Sequence, residues 1–237
     1  MDITYLGGSG FQLRGRDASL FVDPTASPDR RANARAVLMS GYGLEPAVDV
    51  GDARVISRPG EYEVSGILIR AIRTSRASAD DASHQGGMAY TVSIDGVGIC
   101  HLGHLSRALT TAEISELGEA DVVLLPVGGE ETLAPNLAAQ VATQLGPKII
   151  IPMLWQGEVE RSITEAVTAA PAQDEAEDGA GDAEEAPPAP VETVNVPSLE
   201  PFLRELGIRS LTPHDRLSVT PTNQPPTQQV SLLLPRS

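Results

Sequence analysis

The first two hundred residues read as short apolar stretches broken by turns. Ile3-Thr4-Tyr5-Leu6 predicts a strand, Gly7-Gly8-Ser9-Gly10 a turn, and Phe11-Gln12-Leu13-Arg14 alternates as a half-buried strand does. Gly15–Ala18 turns the chain into Ser19-Leu20-Phe21-Val22, which stops at Asp23-Pro24, so a β-meander opens the chain. Arg35–Met39 predicts a buried strand. Arg54-Val55-Ile56 and Tyr62-Glu63-Val64 follow, split by a Pro59-Gly60 turn, and Ile67–Ile72 alternates again. Ala89–Ile94 and Val97–His101 flank Asp95-Gly96, a pair that tolerates positive φ and signals a two-residue hairpin.

Helical spacing enters later. Thr110–Leu117 has a threonine N-cap, and Asn136–Leu145 carries Leu137, Val141 and Leu145 on one face before Gly146-Pro147 stops it. Between and after them, Asp121–Val127 and Lys148–Met153 predict buried strands. Ser198–Leu206 predicts a helix closed by Gly207, and Val230–Leu234 a last strand. A meander, then helices, then strand–helix–strand units suit two mixed sheets packed face to face with helices outside, an α+β fold, rather than a doubly wound sheet.

Composition narrows the function classes. With 41% hydrophobic residues in 237, the chain has enough apolar surface for a core. A net charge of −15 argues against nucleic acid as partner, because phosphate binding needs clustered positive charge. One cysteine, Cys100, excludes an internal disulfide and a cysteine-rich zinc site; on a buried strand it reads as a small core residue facing away from His101. No apolar run is long enough for a membrane span, and Met1-Asp2-Ile3-Thr4-Tyr5 lacks a basic then apolar leader. A cytoplasmic protein without a membrane partner is the expectation. A protein partner or a second copy of the chain stays open.

The acid is concentrated. Asp174, Glu175, Glu177, Asp178, Asp182, Glu184, Glu185 and Glu192 share a stretch without Lys or Arg, ending Ala186-Pro187-Pro188-Ala189-Pro190. Such a segment buries too little apolar surface to offset its ordering entropy. We read 1–171 as one domain, 172–192 as a disordered acidic insert, and 193–237 as the helix and strand that complete the same domain.

Five strings in order carry a family resemblance. They are Ile3–Phe11 followed by Leu20-Phe21-Val22-Asp23-Pro24, then Ala36–Ser40, Asp95–Gly103, Ala120–Gly129 and Pro147–Met153. Together they resemble the metallo-β-lactamase-fold superfamily, in particular the small bacterial metal-dependent hydrolases related to ascorbate-phosphate lactonase. The resemblance implies a four-layer αββα sandwich. It also implies a metal loop of the pattern His-x-His-x-Asp-His, since imidazole and carboxylate suit Zn²⁺ and a bound water must be acidified for attack.

Carried onto this sequence, that loop is Ser40–Pro46. Its leading histidines fall on Gly41 and Gly43, its aspartate on Glu45 and its last histidine on Pro46. The early histidine falls on Gly8, the bridging aspartate on His104 and the closing histidine on Leu154. The intermediate histidine is due near Arg73–Ser75; an insertion could shift it onto His84. Asp23 matches the family's support for the metal loop, and by itself reads as a turn residue bonded to nearby amides.

Two functions follow. In one, the fold persists without its metal ligands, no cofactor is expected, no residue is catalytic, and the protein is a binding or interaction module. The cleft is then either open, walled by Leu154 and Trp155, or plugged by Tyr42 and Leu44. In the other, a Zn- or Mn-dependent hydrolase of a small ester, lactone or phosphorylated substrate uses an altered set drawn from Asp23, Glu45, His84, His101 and His104.

Overall fold

Alternating side chains need an apolar partner for one face, and two sheets supply it to each other. The computed structural model describes residues 1–26, 33–41, 43–74, 87–129, 132–157, 160–164, 191–209 and 211–236. Its first sheet begins as the expected meander, β1 (Asp2–Gly7), β2 (Gly10–Arg14) and β3 (Ser19–Val22), all antiparallel. β4 (Ala34–Leu38) and β5 (Arg54–Ile56) then add in parallel. Pro59-Gly60 is not a hairpin turn. There the chain leaves the first sheet and starts the second at β6 (Gly60–Val64).

The second sheet continues with β7 (Ile67–Thr74), β8 (Gly87–Ile94) and β9 (Val97–His101), antiparallel neighbours. Asp95 and Gly96 take φ of 52° and 77°, so the hairpin is the predicted one. β10 (Val122–Pro126) and β11 (Ile149–Met153) extend the sheet in parallel beyond β9. Parallel neighbours need crossovers. These contain α1 (Thr111–Leu117) and α2 (Pro135–Leu145). Thr110 and Glu113 cap α1 reciprocally, and left-handed Gly146 ends α2.

The C-terminal part departs most from the patterning. β12 (Glu160–Thr164) pairs antiparallel with β13 (Val191–Asn195), a hairpin the pattern does not predict. Val191 and Glu192, expected within the acidic insert, are instead strand residues that pair with Thr164 and Ile163. Residues 165–190 lie outside the described residues. The predicted Ser198–Leu206 helix is a 3-10 turn, Pro197–Leu199, running into α3 (Glu200–Glu205). β14 (Pro213–His214) and β15 (Leu217–Ser218) are two residues each. The predicted last strand splits into β16 (Gln229–Val230), parallel to β11, and β17 (Leu232–Leu233), parallel to β14. β15 joins the first sheet beside β1 and β16 the second beside β11, giving six and seven strands.

The core between the sheets holds Ile3, Phe11, Leu13, Leu20 and Leu38 against Ile69, Tyr90, Val92, Ile99, Leu124 and Ile151. Residues of α1, α2 and α3 pack with Ala89, Cys100, Val123, Leu125 and Ile150 on the other face of the seven-stranded sheet. On the outer face of the six-stranded sheet, Phe21 and Val37 are covered by Val50 and Ala53 of the loop before β5. The α+β sandwich is the one expected, with its described helices on the seven-stranded side.

Tyr90 ties the sheets internally. From β8 its buried hydroxyl lies 2.6 Å from the Met39 carbonyl and 3.0 Å from that of Ile56, both in the other sheet. Tyr90→Phe is expected to cost about 1–2 kcal/mol, read as a fall of a few degrees in melting temperature. Deleting 172–190, which spares β12 and β13, is expected to leave the melting temperature within a few degrees in the same measurement.

Candidate functional site

Parallel strands deliver their carboxyl ends to one edge of a sheet. Here the ends of β3, β4, β9, β10 and β11 meet at one end of the sandwich, with the β1–β2 turn between the two sheets. Two hydrogen bonds fix that turn. The Ser9 carbonyl lies 2.9 Å from His101 Nε2, and the Gly8 carbonyl accepts the Leu154 amide at 3.0 Å. Tyr5 Oη also donates to the Gly8 carbonyl at 2.9 Å. Below the turn, Tyr5 packs on Phe11 and Trp155, with ring centroids 4.9 and 6.2 Å apart, and Phe11 meets His101 edge-on.

His101 ends β9 with its side chain in the core, and Cys100 faces the helices, as alternation requires. Both imidazole nitrogens are engaged. Nδ1 accepts the Gly103 amide at 3.1 Å, so Nε2 carries the proton and donates to Ser9. The ring is neutral and satisfied. Burial holds its pKa below the usual histidine value, against the opposing influence of Asp23 and the Ser9 bond. Burial also pushes the Cys100 thiol up to about 12, which leaves it a poor nucleophile.

Gly103 has the left-handed φ of 58°, and a Cβ there would stand 2.3 Å from the Met88 carbonyl oxygen. Only glycine lets this loop close onto His101. Neither Gly103 nor Ser9 is visible as a site residue in the sequence, because each acts through its backbone.

Asp23 follows β3 at a φ of 41°, and its Oδ1 accepts the Ser40 amide at 2.7 Å. That is the turn role read from the sequence. The loop it supports starts at Gly41, which bridges to Gly87. A Cβ on Gly41 would meet Leu44 Cδ1 2.1 Å away, so the Leu44 side chain lies where a side chain at 41 would begin. Leu44 is itself 54% exposed. It covers position 41 from the rim and is not part of the core; Tyr42, the other expected plug, lies outside the described residues. Gly43 has a φ of 69° and donates its amide to the Ser57 carbonyl at 2.7 Å. Glu45 is exposed and Pro46 half-buried on the same loop.

On the far side, Leu154 follows β11 in the left-handed region, at a φ of 60°, and is half-buried. Trp155 packs beside it against both cores, with its indole Nε1 buried and without a partner. His104 is exposed two residues beyond Leu102. His84 lies outside the described residues.

Residues 2–154 match a family model described as a beta-lactamase superfamily domain. The chain belongs to the metallo-β-lactamase-fold superfamily. It is similar to a UPF0173 metal-dependent hydrolase of Thermococcus kodakarensis, 32% identical over 127 residues, 52% of this chain and 57% of the relative. The match thus spans little more than half of that relative. A UPF0173 metal-dependent hydrolase of Methanopyrus kandleri is 25% identical over 191 residues, covering 65% of this chain and 83% of its own. A solved Thermotoga maritima structure, assigned to the Zn-dependent hydrolases of the superfamily, superposes with a TM-score of 0.67 at 25% identity, covering 98% and 97% of the two chains. Two of these relatives are archaeal, so a bacterial branch is not what the similarity singles out.

A superfamily metal centre needs several donors converging on one point. Of the positions that the resemblance gives to ligands, Gly8, Gly41, Gly43, Pro46 and Leu154 have no donor atom in their side chains. Glu45 and His104 are exposed, and His101 gives both nitrogens to the protein. Among the described residues no three of His, Cys, Asp and Glu stand together as a metal would require. The described residues do not fit a zinc or manganese centre.

A neutral buried histidine makes stability depend on pH. Its folded pKa is lowered, so above the unfolded value of about 6.5 neither state is charged and the stability is complete. Below it the unfolded chain takes up a proton that the native ring refuses. Stability therefore falls as pH drops, by up to about 1.4 kcal/mol per unit from this group. Urea unfolding between pH 7.5 and 5.5 is expected to show this slope in the wild type and lose that share of it in His101→Gln.

Proposed function

We propose that this chain uses the superfamily fold for binding, not for metal-assisted hydrolysis. The observation that carries the reading is the commitment of His101, whose two nitrogens hold the Ser9 carbonyl and the Gly103 amide. A metal held by His101 would have to break one of those bonds, and the side chains at Gly41, Gly43 and Leu154 offer no donor in exchange. The strand-end region that carries Leu44, Leu154 and Trp155 is the proposed binding surface, since open sheets of this kind place ligands at the carboxyl ends of their strands. No cofactor is required. The reading takes a small molecule, a protein partner or a second copy as occupant, excludes nucleic acid on the net charge of −15, and places the protein in the cytoplasm. No helix among the described residues is long and apolar enough to cross a membrane.

A second reading has its own support. The relatives from Thermococcus and Methanopyrus are both named metal-dependent hydrolases. In that reading the chain is a hydrolase of a small ester, lactone or phosphorylated substrate. Zn or Mn would be held by an altered set from Glu45, His84, His101 and His104, and His101 would turn away from Ser9 or Gly103.

Metal content separates the two. Elemental analysis of protein expressed with added Zn²⁺ and Mn²⁺ and then dialysed is expected to find far less than one metal ion per chain. About one per chain, released by His104→Ala, would establish the hydrolase reading instead.

A further inference from the structure

Two segments meet along one edge of β1. β15 pairs there through Leu217 and Ser218, and the C-terminal segment returns to the same strand, where the Arg236 amide donates to the Tyr5 carbonyl at 3.0 Å. The two segments are tied to each other by the Leu234 amide on the His214 carbonyl, also at 3.0 Å. Pro213 and Pro235, whose rings fix φ, stiffen both. Here lies an open cavity of about 790 Å³, whose polar lining is Thr4, His214, Asp215, Arg216 and Arg236. None of Leu44, Leu154 and Trp155 lines it, so it is separate from the strand-end region.

The lining reverses the charge of the chain. The sequence has 32 acidic residues to 17 basic ones, yet two arginines border this cavity against one aspartate. Their donors are largely unspent. Among the described residues the Arg236 guanidinium has no ion pair and no hydrogen bond. Arg216 Nη1 stands 3.4 Å from Asp2 Oδ2, longer than a charge-assisted hydrogen bond, and the other Asp2 oxygen accepts the Ser218 hydroxyl at 2.6 Å. Thr4 alternates away from the core residues Ile3 and Tyr5, and its hydroxyl has no partner among the described residues.

The group that completes such a lining accepts several hydrogen bonds and carries negative charge. Guanidinium forks match carboxylate and phosphate alike. A phosphate monoester presents three terminal oxygens and close to two charges, enough for both forks and the threonine hydroxyl together, where a carboxylate presents two oxygens and one charge. The volume is in the range of about 300–1,000 Å³ typical of small-molecule sites, more than a bare ion fills. We infer that this cavity binds the phosphate group of a small phosphate monoester through Arg216, Arg236 and Thr4. The inference uses residues that the strand-end reading does not, and it stands or falls separately.

The probe is phenyl phosphate, with benzoate as the carboxylate control, both at constant ionic strength because salt screens such contacts. Thermal melts of the full chain are expected to rise by a few degrees at about tenfold excess of phenyl phosphate over its Kd, and less with benzoate at the same concentration. In amide NMR spectra the titration is expected to move Thr4, His214, Asp215, Arg216 and Arg236. Arg236→Gln is expected to melt like the wild type without ligand and to raise the Kd about tenfold or more, while Arg204→Gln, on α3, leaves it unchanged. No response up to about 100 mM phenyl phosphate, an equal response to benzoate, or an undiminished response in Arg236→Gln overturns the inference. So do amide shifts gathered on Gly8, Gly103 and Leu154, which would place the phosphate at the strand ends. If Arg236→Gln does not fold, the amide shifts and the comparison of the two anions on the wild type decide. Stoichiometric metal in the dialysed protein would remove the binding reading of the strand ends and leave this inference to the same amide shifts.

Discussion

The hydrogen bond from the His101 imidazole to the Ser9 carbonyl governs the open end of this molecule. It joins the last residue of a central strand in one sheet to the first turn of the other. Because the Gly103 amide fills the remaining ring nitrogen, the imidazole is saturated by protein. Everything at that end is arranged around the fact. The glycine-rich turn can enter between the sheets only because its carbonyls find donors there, and the aromatic row of Phe11, Tyr5 and Trp155 packs beneath it. Backbone groups of the protein thus cross-link the two sheets at that end.

This arrangement accounts for the mixture of likeness and departure in the chain. The fold follows the superfamily, because it is set by burial alternation and by parallel crossovers, and neither depends on metal. The residues at the strand ends answer to a different constraint. The imidazole is committed to backbone partners, and a side chain at position 41 would displace Leu44. Glycine and leucine at the family's ligand positions are consistent with a site maintained by packing and backbone bonds.

Much of the fold was legible in the sequence, because its signals are local. Alternation in Ile67–Ile72, the Asp95-Gly96 turn, the threonine cap of α1 and the glycine stop of α2 each have a short-range cause. The pairing of β12 with β13 was hidden because their partners sit on either side of the long acidic run. The change of sheet at Pro59-Gly60 was hidden because a turn dipeptide does not say to which sheet the chain returns. The splitting of Val230–Leu234 depends on two different neighbours, β11 and β14, that no local pattern names. In the site, positions without donor atoms could be read directly. The saturation of His101 could not, since its partners are main-chain groups of Ser9 and Gly103 and identity carries no mark of them. His101 in the sequence was a candidate ligand, and only its surroundings make it a core residue.

The left-handed backbone at Leu154 has one more consequence. The Leu154 amide on the Gly8 carbonyl ties that backbone to the first turn. A residue that tolerates positive φ, so neither proline nor a β-branched one, inherits the same path when placed there. The position behaves as a fixed socket whose occupant can drift under mutation without reshaping the strand end. A scaffold of this kind can change its chemistry one side chain at a time while the chain trace stays where it is.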